Sequence, residues 1–469
     1  MPITRRQLLH RSALASLGAV LATQADSLVR AAPSFARPLH RPTTPAGYGP
    51  LLPDPDGLLD LPAGFQYRVV TKAGDALGTA TVPGRPDGTA SFWGSRSTTV
   101  LVQNHEIGTS DPNPVVADSA LVYDPGAHGG TTNITVDHHG HLLSQVASLG
   151  GTYSNCAGGR TPWGTWLTCE ETEQRVDASK GITRDHGYVF EVHPTDQVAN
   201  RDPQPLTALG RFAHEAVVVD PVQGHLYLTE DAAGPNGLLY RFTPKTRPNR
   251  LHTLRDGGTL EALSVPGVSD LSVYAKVGTR LRATWKAVPD PSAATTSVRK
   301  QFDYVGSNGV AVRGPGGAVT RSRKFEGMWW GEGRAWIVCS FARLSDGSAA
   351  EHDGQVWSYD PWSKSLALEV HFPVNTAPPS DTPDGPDNIT VSPYGGLILA
   401  EDGEGWQHLL TVDRHGDATP FARNRIQAGD GSYSEFTGPV FSPDRKVLFA
   451  NVQDQGYVFA ITGPWRRTY

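Results

Sequence analysis

The sequence predicts an all-β fold, a six-bladed β-propeller with a long insertion and an extended N-terminal arm. Three observations predict it. From Leu61 onward helical periodicity is scarce, and short runs of Val, Ile, Leu, Tyr and Trp are broken by Gly, Pro, Asp and Asn, as in strands joined by turns. Six segments then repeat one pattern: a polar starter, a short apolar strand, a tight turn, and a second apolar strand ending in carboxylates or amides. Four of these units add a later strand opened by glycine, at Gly187, Gly237, Gly354 and Gly456. A period of roughly 50 residues with several strands each belongs to a propeller. A pair of β-sandwiches is the alternative that the same strands allow.

Composition narrows the field. A chain of 469 residues can bury a large repetitive core. Its 51 Gly and 37 Pro follow no short period and alternate with aromatic and β-branched runs, so collagen-like and wholly disordered chains are excluded. With 41 Lys+Arg against 47 Asp+Glu, the net charge of −6 argues against nucleic-acid binding, which needs a basic face. The 3 Cys cannot build a disulfide framework.

Taken in order, residues 1–32 read as an export signal and its flank. Arg5 and Arg6 precede a mildly apolar run, Ala13 to Ala22, and a small-residue exit near Ala25, the layout of a twin-arginine signal. The run is shorter than the roughly 20 residues that span a bilayer, so no stable membrane anchor is expected. Cleavage near Ala25 would remove Arg5, Arg6 and Arg11 and take the charge from −6 to about −9. Residues 33–60, rich in Pro, form the extended arm, and 61–469 form one propeller domain. The strand from Phe65 to Val70 is expected to close the ring against the last blade, because an open edge invites aggregation.

The six units run Ser91–Glu106, Cys156–Glu171, His214–Asp231, Glu326–Cys339, Asp387–Asp402 and Glu435–Asn451; the first has no evident starter. Uneven spacing leaves residues 243–322 as the insertion. In a propeller the start of each blade's first strand points at the axis, near one mouth. The starters Cys156, Glu215, Glu326, Asn388 and Glu435 would gather there, with Glu106, Glu170, Glu171, Asp231 and Asp402 nearby. So many carboxylates either stay protonated or are held by cations. Oxygen donors suit Ca²⁺ or Mg²⁺ and a thiolate suits a transition metal, so the mixed set points to more than one metal type.

Each residue also has a plainer role open to it. A single Glu at a strand end is commonly a solvated turn residue. Cys156 and Cys169 could be bridged in an exported protein, and Cys339, after Trp336-Ile337-Val338, suits a buried inert thiol. His105 and His214 each adjoin a Glu and could ligate metal or donate a supporting hydrogen bond. Gly129-Gly130-Thr131-Thr132-Asn133 could be a turn, or a loop that brings Asn133 to the same mouth.

At these residues the chain resembles the PhoX-type alkaline phosphatases, a calcium- and iron-dependent family of exported bacterial enzymes. The resemblance lies in Leu61 to Val70, the segment ending at Asn133, Asn155 to Glu171, Arg211 to Ala216, Lys324-Phe325-Glu326, Pro386-Asp387-Asn388 and Glu401 to Gly405. It covers nearly the whole mature chain. It implies a six-bladed propeller whose mouth holds a cluster of Fe³⁺ and Ca²⁺ and hydrolyses phosphate monoesters. It also implies Cys156 as thiolate ligand to iron, and Asn133, Glu171, Glu215, Glu326, Asp387 and Asn388 as further metal ligands or phosphate contacts. Lys324, Glu326 and Asn133 would then serve catalysis. The family tends to carry Arg where this chain has Lys324; Lys contacts phosphate as a point charge without the bidentate fork. The expected partners are small phosphate esters and, during export, the twin-arginine translocase, and the chain is expected to be a periplasmic or extracellular monomer. A calcium-dependent lactonase and a non-catalytic ligand-binding propeller are the two other readings that the same axial carboxylates permit.

Overall fold

The computed structural model describes residues 47–78, 80–346 and 348–467. The export segment 1–32 and residues 33–46 of the arm lie outside the described residues. Six antiparallel sheets form the blades of a propeller, and their inner strands are Pro86–Trp93, Asn155–Arg160, His214–Val219, Phe325–Gly331, Pro386–Val391 and Phe436–Phe441. In each sheet the next strand in sequence pairs outward from the inner one, so each repeat of the sequence becomes one blade.

The apolar runs are continuous because both faces of every blade are covered by a neighbour. Side chains alternate along a strand, and in blade 3 Val217 and Val219 pack toward blade 2 whereas Ala216 and Val218 pack toward blade 4. Each pair of adjacent blades therefore has its own buried cluster. The cluster between blades 6 and 1 joins Val70, Phe449 and Val458 to Leu101, Ile134 and Val136.

The expected closure occurs. Strand Gln66–Lys72 pairs antiparallel with the C-terminal strand Tyr457–Thr462 and becomes the outer strand of blade 6. One blade thus contains both ends of the domain, which closes the ring without a free inner edge. The arm docks beside it. Leu59–Pro62 adds to the outer strand of blade 5, where buried Asp60 accepts from Arg425 at 3.0 Å.

The stretch 243–322 divides into blade strands and a true excursion. Gly258–Ser264 and Thr284–Ala287 are the fourth and fifth strands of blade 3, and Arg280–Arg282 joins the outer edge of blade 4. Its apolar residues Leu260, Ala262 and Leu263 complete the faces of blade 3, so this part belongs to the core. Of what remains outside the sheets, residues 245–257 lie at the end where the inner strands finish, with Arg247 donating to the Pro221 and Val222 carbonyls, and the stretch around Pro291 packs at the end where they begin. There the Arg211 N–H donates to the Pro291 carbonyl at 2.9 Å.

Candidate metal centre

One device is repeated around the axis. Every inner strand opens with a β-bulge, between Pro86 and Thr89, Asn155 and Gly158, His214 and Val217, Phe325 and Met328, Pro386 and Ile389, and Thr437 and Val440. A bulge holds one unpaired extra residue and re-aims its side chain. The first bulged residues are Asp87, Cys156, Glu215, Glu326, Asp387 and Gly438, so five of the six blades place a carboxylate or thiol here. The next position is small in several blades because the strands nearly touch at the axis. A Cβ on Gly88 would lie 2.6 Å from Ala157 Cα, and one on Gly327 would lie 2.8 Å from the Asp387 carbonyl oxygen. Two residues before the bulged side chain, Arg85, Ser154, Lys324 and Gly385 take left-handed φ values of 44°, 50°, 39° and 46°, turning the chain into the mouth.

The side chains converge into three linked groups: Cys156, Glu171 and Glu215; Glu215, Glu326 and Asp387; and Asp387, Asp402 and Glu435. Within each group the candidate ligand atoms lie within 4.8 Å of one another. Glu215 and Asp387 each belong to two groups, so the three form one chain across the mouth. Cys156 Sγ lies 3.3 Å from Glu215 Oε1 and 3.8 Å from Asp87 Oδ2.

Such crowding is unfavourable without positive charge. Burial, and then the charges of Asp387 and Glu171, push the Glu215 carboxyl well above the usual carboxylate range. Asp87 and Glu435 are raised in the same way, by burial first and by neighbouring carboxylates second. Burial and the adjacent Asp87 and Glu215 hold Cys156 as the neutral thiol. Among the described residues no hydrogen-bond donor reaches the buried Asp87 Oδ1 or Glu215 Oε2. Carboxylate oxygens without donors, beside a thiol held neutral by burial and by acids, are groups that could hold metal ions, hard oxygen-loving ones together with a softer one.

The ends of the second strands complete the mouth. Glu171 faces Cys156 and Glu215, whereas its neighbour Glu170 turns away and accepts from His186 Nδ1 at 2.6 Å and from the Gly187 N–H at 2.8 Å. Lys324 Nζ lies 3.2 Å from Glu326 Oε1 and 3.5 Å from Asp231 Oδ2. Ser340 Oγ donates to that same Glu326 oxygen at 2.7 Å. Arg85, at the corresponding position in blade 1, bonds Glu106 Oε2 at 3.1 Å and Asp454 Oδ1 at 2.6 Å.

The structure thus brings together Cys156, Glu171, Glu215, Lys324, Glu326 and Asp387. Asn388 lies one residue along the bulge and spans to blade 6, where its Oδ1 accepts from the Gly438 N–H at 2.9 Å. Asn133 is not brought to the mouth. It pairs with Val102, three positions from the mouth end of its strand, roughly 10 Å along the chain. Its amide donates to the Pro194 carbonyl at 2.7 Å, beyond the far end of blade 2's third strand. The Gly-rich segment before it is a regular strand, so the alternation of the pleat carries Asn133 between blades.

His105 and His214, each beside a mouth acid, engage groups of the blades. His105 engages the Gly84 carbonyl through Nδ1 at 2.8 Å and Thr132 Oγ1 through Nε2 at 2.9 Å, and burial lowers its pKa to about 4. His214 stacks on Phe212 and reaches the Gly210 carbonyl at 3.0 Å. All three cysteines are free and buried, which removes a Cys156–Cys169 bridge. Asp87, the missing starter of the first unit, is the residue that the sequence reading passed over. Pro86-Asp87-Gly88 reads as a turn, yet it matches Pro386-Asp387-Asn388 of blade 5, and that internal match is the signal that could have found it.

A family model described as alkaline phosphatase PhoX matches residues 46–148 and 140–456. The solved structure of Pseudomonas fluorescens PhoX in complex with vanadate, a transition state analogue, aligns with a TM-score of 0.63 at 19% identity, covering 89% of this chain and 98% of that one. At that identity the likeness speaks for the fold. A gluconolactonase from Xanthomonas campestris aligns with a TM-score of 0.41 at 12% identity, covering 90% of this chain and 99% of that one. Among curated proteins none matches.

Proposed function

The chain belongs to the PhoX alkaline phosphatase family, and from that premise we propose that it is an exported phosphatase that hydrolyses phosphate monoesters at a mixed iron and calcium cluster in the propeller mouth. The observation that carries this reading is the chain of three ligand groups sharing Glu215 and Asp387. Cys156 would hold iron with Glu171 and Glu215, because its sulfur is the one soft donor in the set. Glu326, Asp387, Asp402 and Glu435, all oxygen donors, would hold Ca²⁺. When bound, the ions supply positive charge against the non-bridging phosphate oxygens and make water a competent nucleophile.

The chain's own residues have separate tasks. Lys324 sits at the rim, its side chain 33% exposed, and brings an ammonium to the mouth from the Glu326 side. There it would bind a phosphate oxygen and stabilise the charge that builds up in the transition state. Ser340 fixes Glu326 by donating to Oε1, which orients the other oxygen of that carboxylate into the mouth. Gln453 donates to Asp87 Oδ2 at 2.6 Å and Glu106 Oε2 at 2.9 Å and so keeps these two acids aimed at the axis. Asn133 would support the interface between blades 1 and 2 rather than the reaction. Cys156 Sγ must release its proton for iron to bind, and Glu215 Oε1 at 3.3 Å is its nearest acceptor.

Export rests on the twin-arginine pattern at Arg5 and Arg6. No helix among the described residues is long and apolar enough to cross a membrane. The test is direct. The full chain loaded with Fe³⁺ and Ca²⁺ is expected to hydrolyse p-nitrophenyl phosphate, and removal of Ca²⁺ by EGTA to abolish turnover reversibly. Metal-replete protein that contains no iron and turns over no ester overturns the proposal.

A further inference from the structure

The excursion between blades 3 and 4 contributes one side chain to the ground on which the mouth rests. Arg299 lies in the short 3₁₀ turn Val298–Gln301. Its Nη1 donates to Glu173 Oε2 at 2.5 Å and to Glu230 Oε1 at 3.0 Å. Glu173 follows the mouth residue Glu171 by two positions in blade 2, and Glu230 directly precedes the mouth residue Asp231 in blade 3. A single guanidinium therefore ties together the two chain segments that deliver Glu171 and Asp231 from adjacent blades.

The tie is rigid on both sides. The Arg299 carbonyl accepts from Arg321 Nη2 at 2.8 Å, and Gln301 holds the turn through the Asp290 and Thr296 carbonyls at 2.8 and 3.1 Å. Glu230 is fully buried and its second oxygen accepts from the Tyr240 hydroxyl at 2.6 Å. The same excursion is sewn to blade 2 where Arg175 donates to the Ala293 and Ala294 carbonyls. Two other blades use a comparable arrangement just behind a mouth acid. Glu170, before Glu171, is paired with His186 at 2.6 Å, and Glu401, before Asp402, with His408 at 2.7 Å. In those two blades the partner is a histidine of the same blade, whereas in blade 3 the cation comes from the excursion.

We propose that Arg299 is a positioning residue for the metal centre, the point at which the excursion holds Glu171 in ligating register and Asp231 in place beside Lys324. The inference rests on the metal reading of the mouth given above. Arg299 touches no mouth residue itself; it acts through the backbone of the two segments it joins. Outer partners of metal ligands commonly govern affinity by about 10- to 100-fold when removed.

The test is titration of metal-stripped full-length protein with Fe³⁺ supplied as its citrate complex, with bound iron measured by metal analysis. Arg299→Gln, verified as folded by near-ultraviolet circular dichroism, is expected to bind iron at least about tenfold more weakly than the unmodified chain. Arg299→Lys, which keeps a cation that can reach one carboxylate, is expected to restore part of the loss. Arg241→Gln provides the comparison, because Arg241 makes a partly sheltered pair with Glu261 at 2.6 Å between strands of blade 3 away from the mouth. It is expected to lower stability and leave iron affinity alone. Should Arg299→Gln fail to fold, Glu173→Gln removes one end of the tie and is expected to weaken iron binding in the same direction. Equal iron affinity in a folded Arg299→Gln or Glu173→Gln variant, or an equal loss in Arg241→Gln, overturns the inference while the metal reading stands. Absence of iron binding by the unmodified chain overturns both.

Discussion

Cys156 is the residue on which the iron assignment turns. It is buried among Asp87, Glu171 and Glu215, all of which oppose its ionisation. A thiol kept neutral by its neighbours is a poor choice for packing or redox chemistry, and a sound one for a ligand whose metal supplies the missing charge. Cys156→Ser replaces sulfur with a harder donor of similar size. The variant is expected to lose bound iron and at least about a hundredfold in phosphatase turnover, while Ca²⁺ at the Asp387, Asp402 and Glu435 group persists. Metal analysis with visible absorption spectroscopy reads the first effect, since an iron–thiolate band would vanish. A calcium-dependent lactonase on the same scaffold would keep full activity. Much of this site was legible at the level of single residues, because repetition within one chain shows which polar positions recur. Its limits were equally physical. A bulge decides which of two adjacent residues faces the axis, so Asp387 and Asn388 could not be separated by spacing. Asp87 hid inside a turn-like tripeptide, and Asn133 was misplaced because a Gly-rich strand reads like a loop.

At the scale of elements, the outer strand of blade 6 bears the ring closure. Gln66–Lys72 joins the C-terminal strand through pairs from Gln66↔Thr462 to Lys72↔Tyr457. Val70 from this strand is 6% exposed and packs in the cluster between blades 6 and 1. Val70→Asp would bury a carboxylate with no partner, at a cost of about 4 kcal/mol. Urea unfolding is expected to show a free energy of unfolding lower by that amount, whereas Arg68→Ala on the exposed face of the same strand stays within about 0.5 kcal/mol of the unmodified chain. This closure could be read from the sequence because an apolar strand ahead of the first repeat has nowhere else to pair. The excursion could not. Leu260, Ala262 and Leu263 belong to blade 3, but no repeat of the starter pattern marks them, and uneven spacing alone made the stretch look like one insertion.

Across the whole molecule, the acidic balance and the fold explain each other. The net charge of −6 includes a buried chain of carboxylates at one mouth, and a propeller is the architecture that forces such residues from distant parts of the sequence onto one axis. Without cations these groups fold only by staying protonated, so burial opposes stability at the pH where a phosphatase of this family works. Metal binding should therefore act on the entire domain. Saturation at 100 times the dissociation constant adds about 2.7 kcal/mol per independent Ca²⁺ site, or about 3 °C in melting temperature for a domain of this size. Glu215→Gln sharpens the expectation, because Glu215 joins two of the three groups. In EGTA the variant no longer has to take up a proton at a buried carboxyl beside Asp387 and Glu171 in order to fold, and it is expected to melt above the unmodified chain by the equivalent of about 1–2 kcal/mol. In saturating Fe³⁺ and Ca²⁺ the order is expected to reverse, since the shared ligand is gone. Differential scanning calorimetry under both conditions checks it. If the variant melts below the unmodified chain with and without metals, Glu215 is a packing residue; if the order crosses, its carboxylate is kept for the ions.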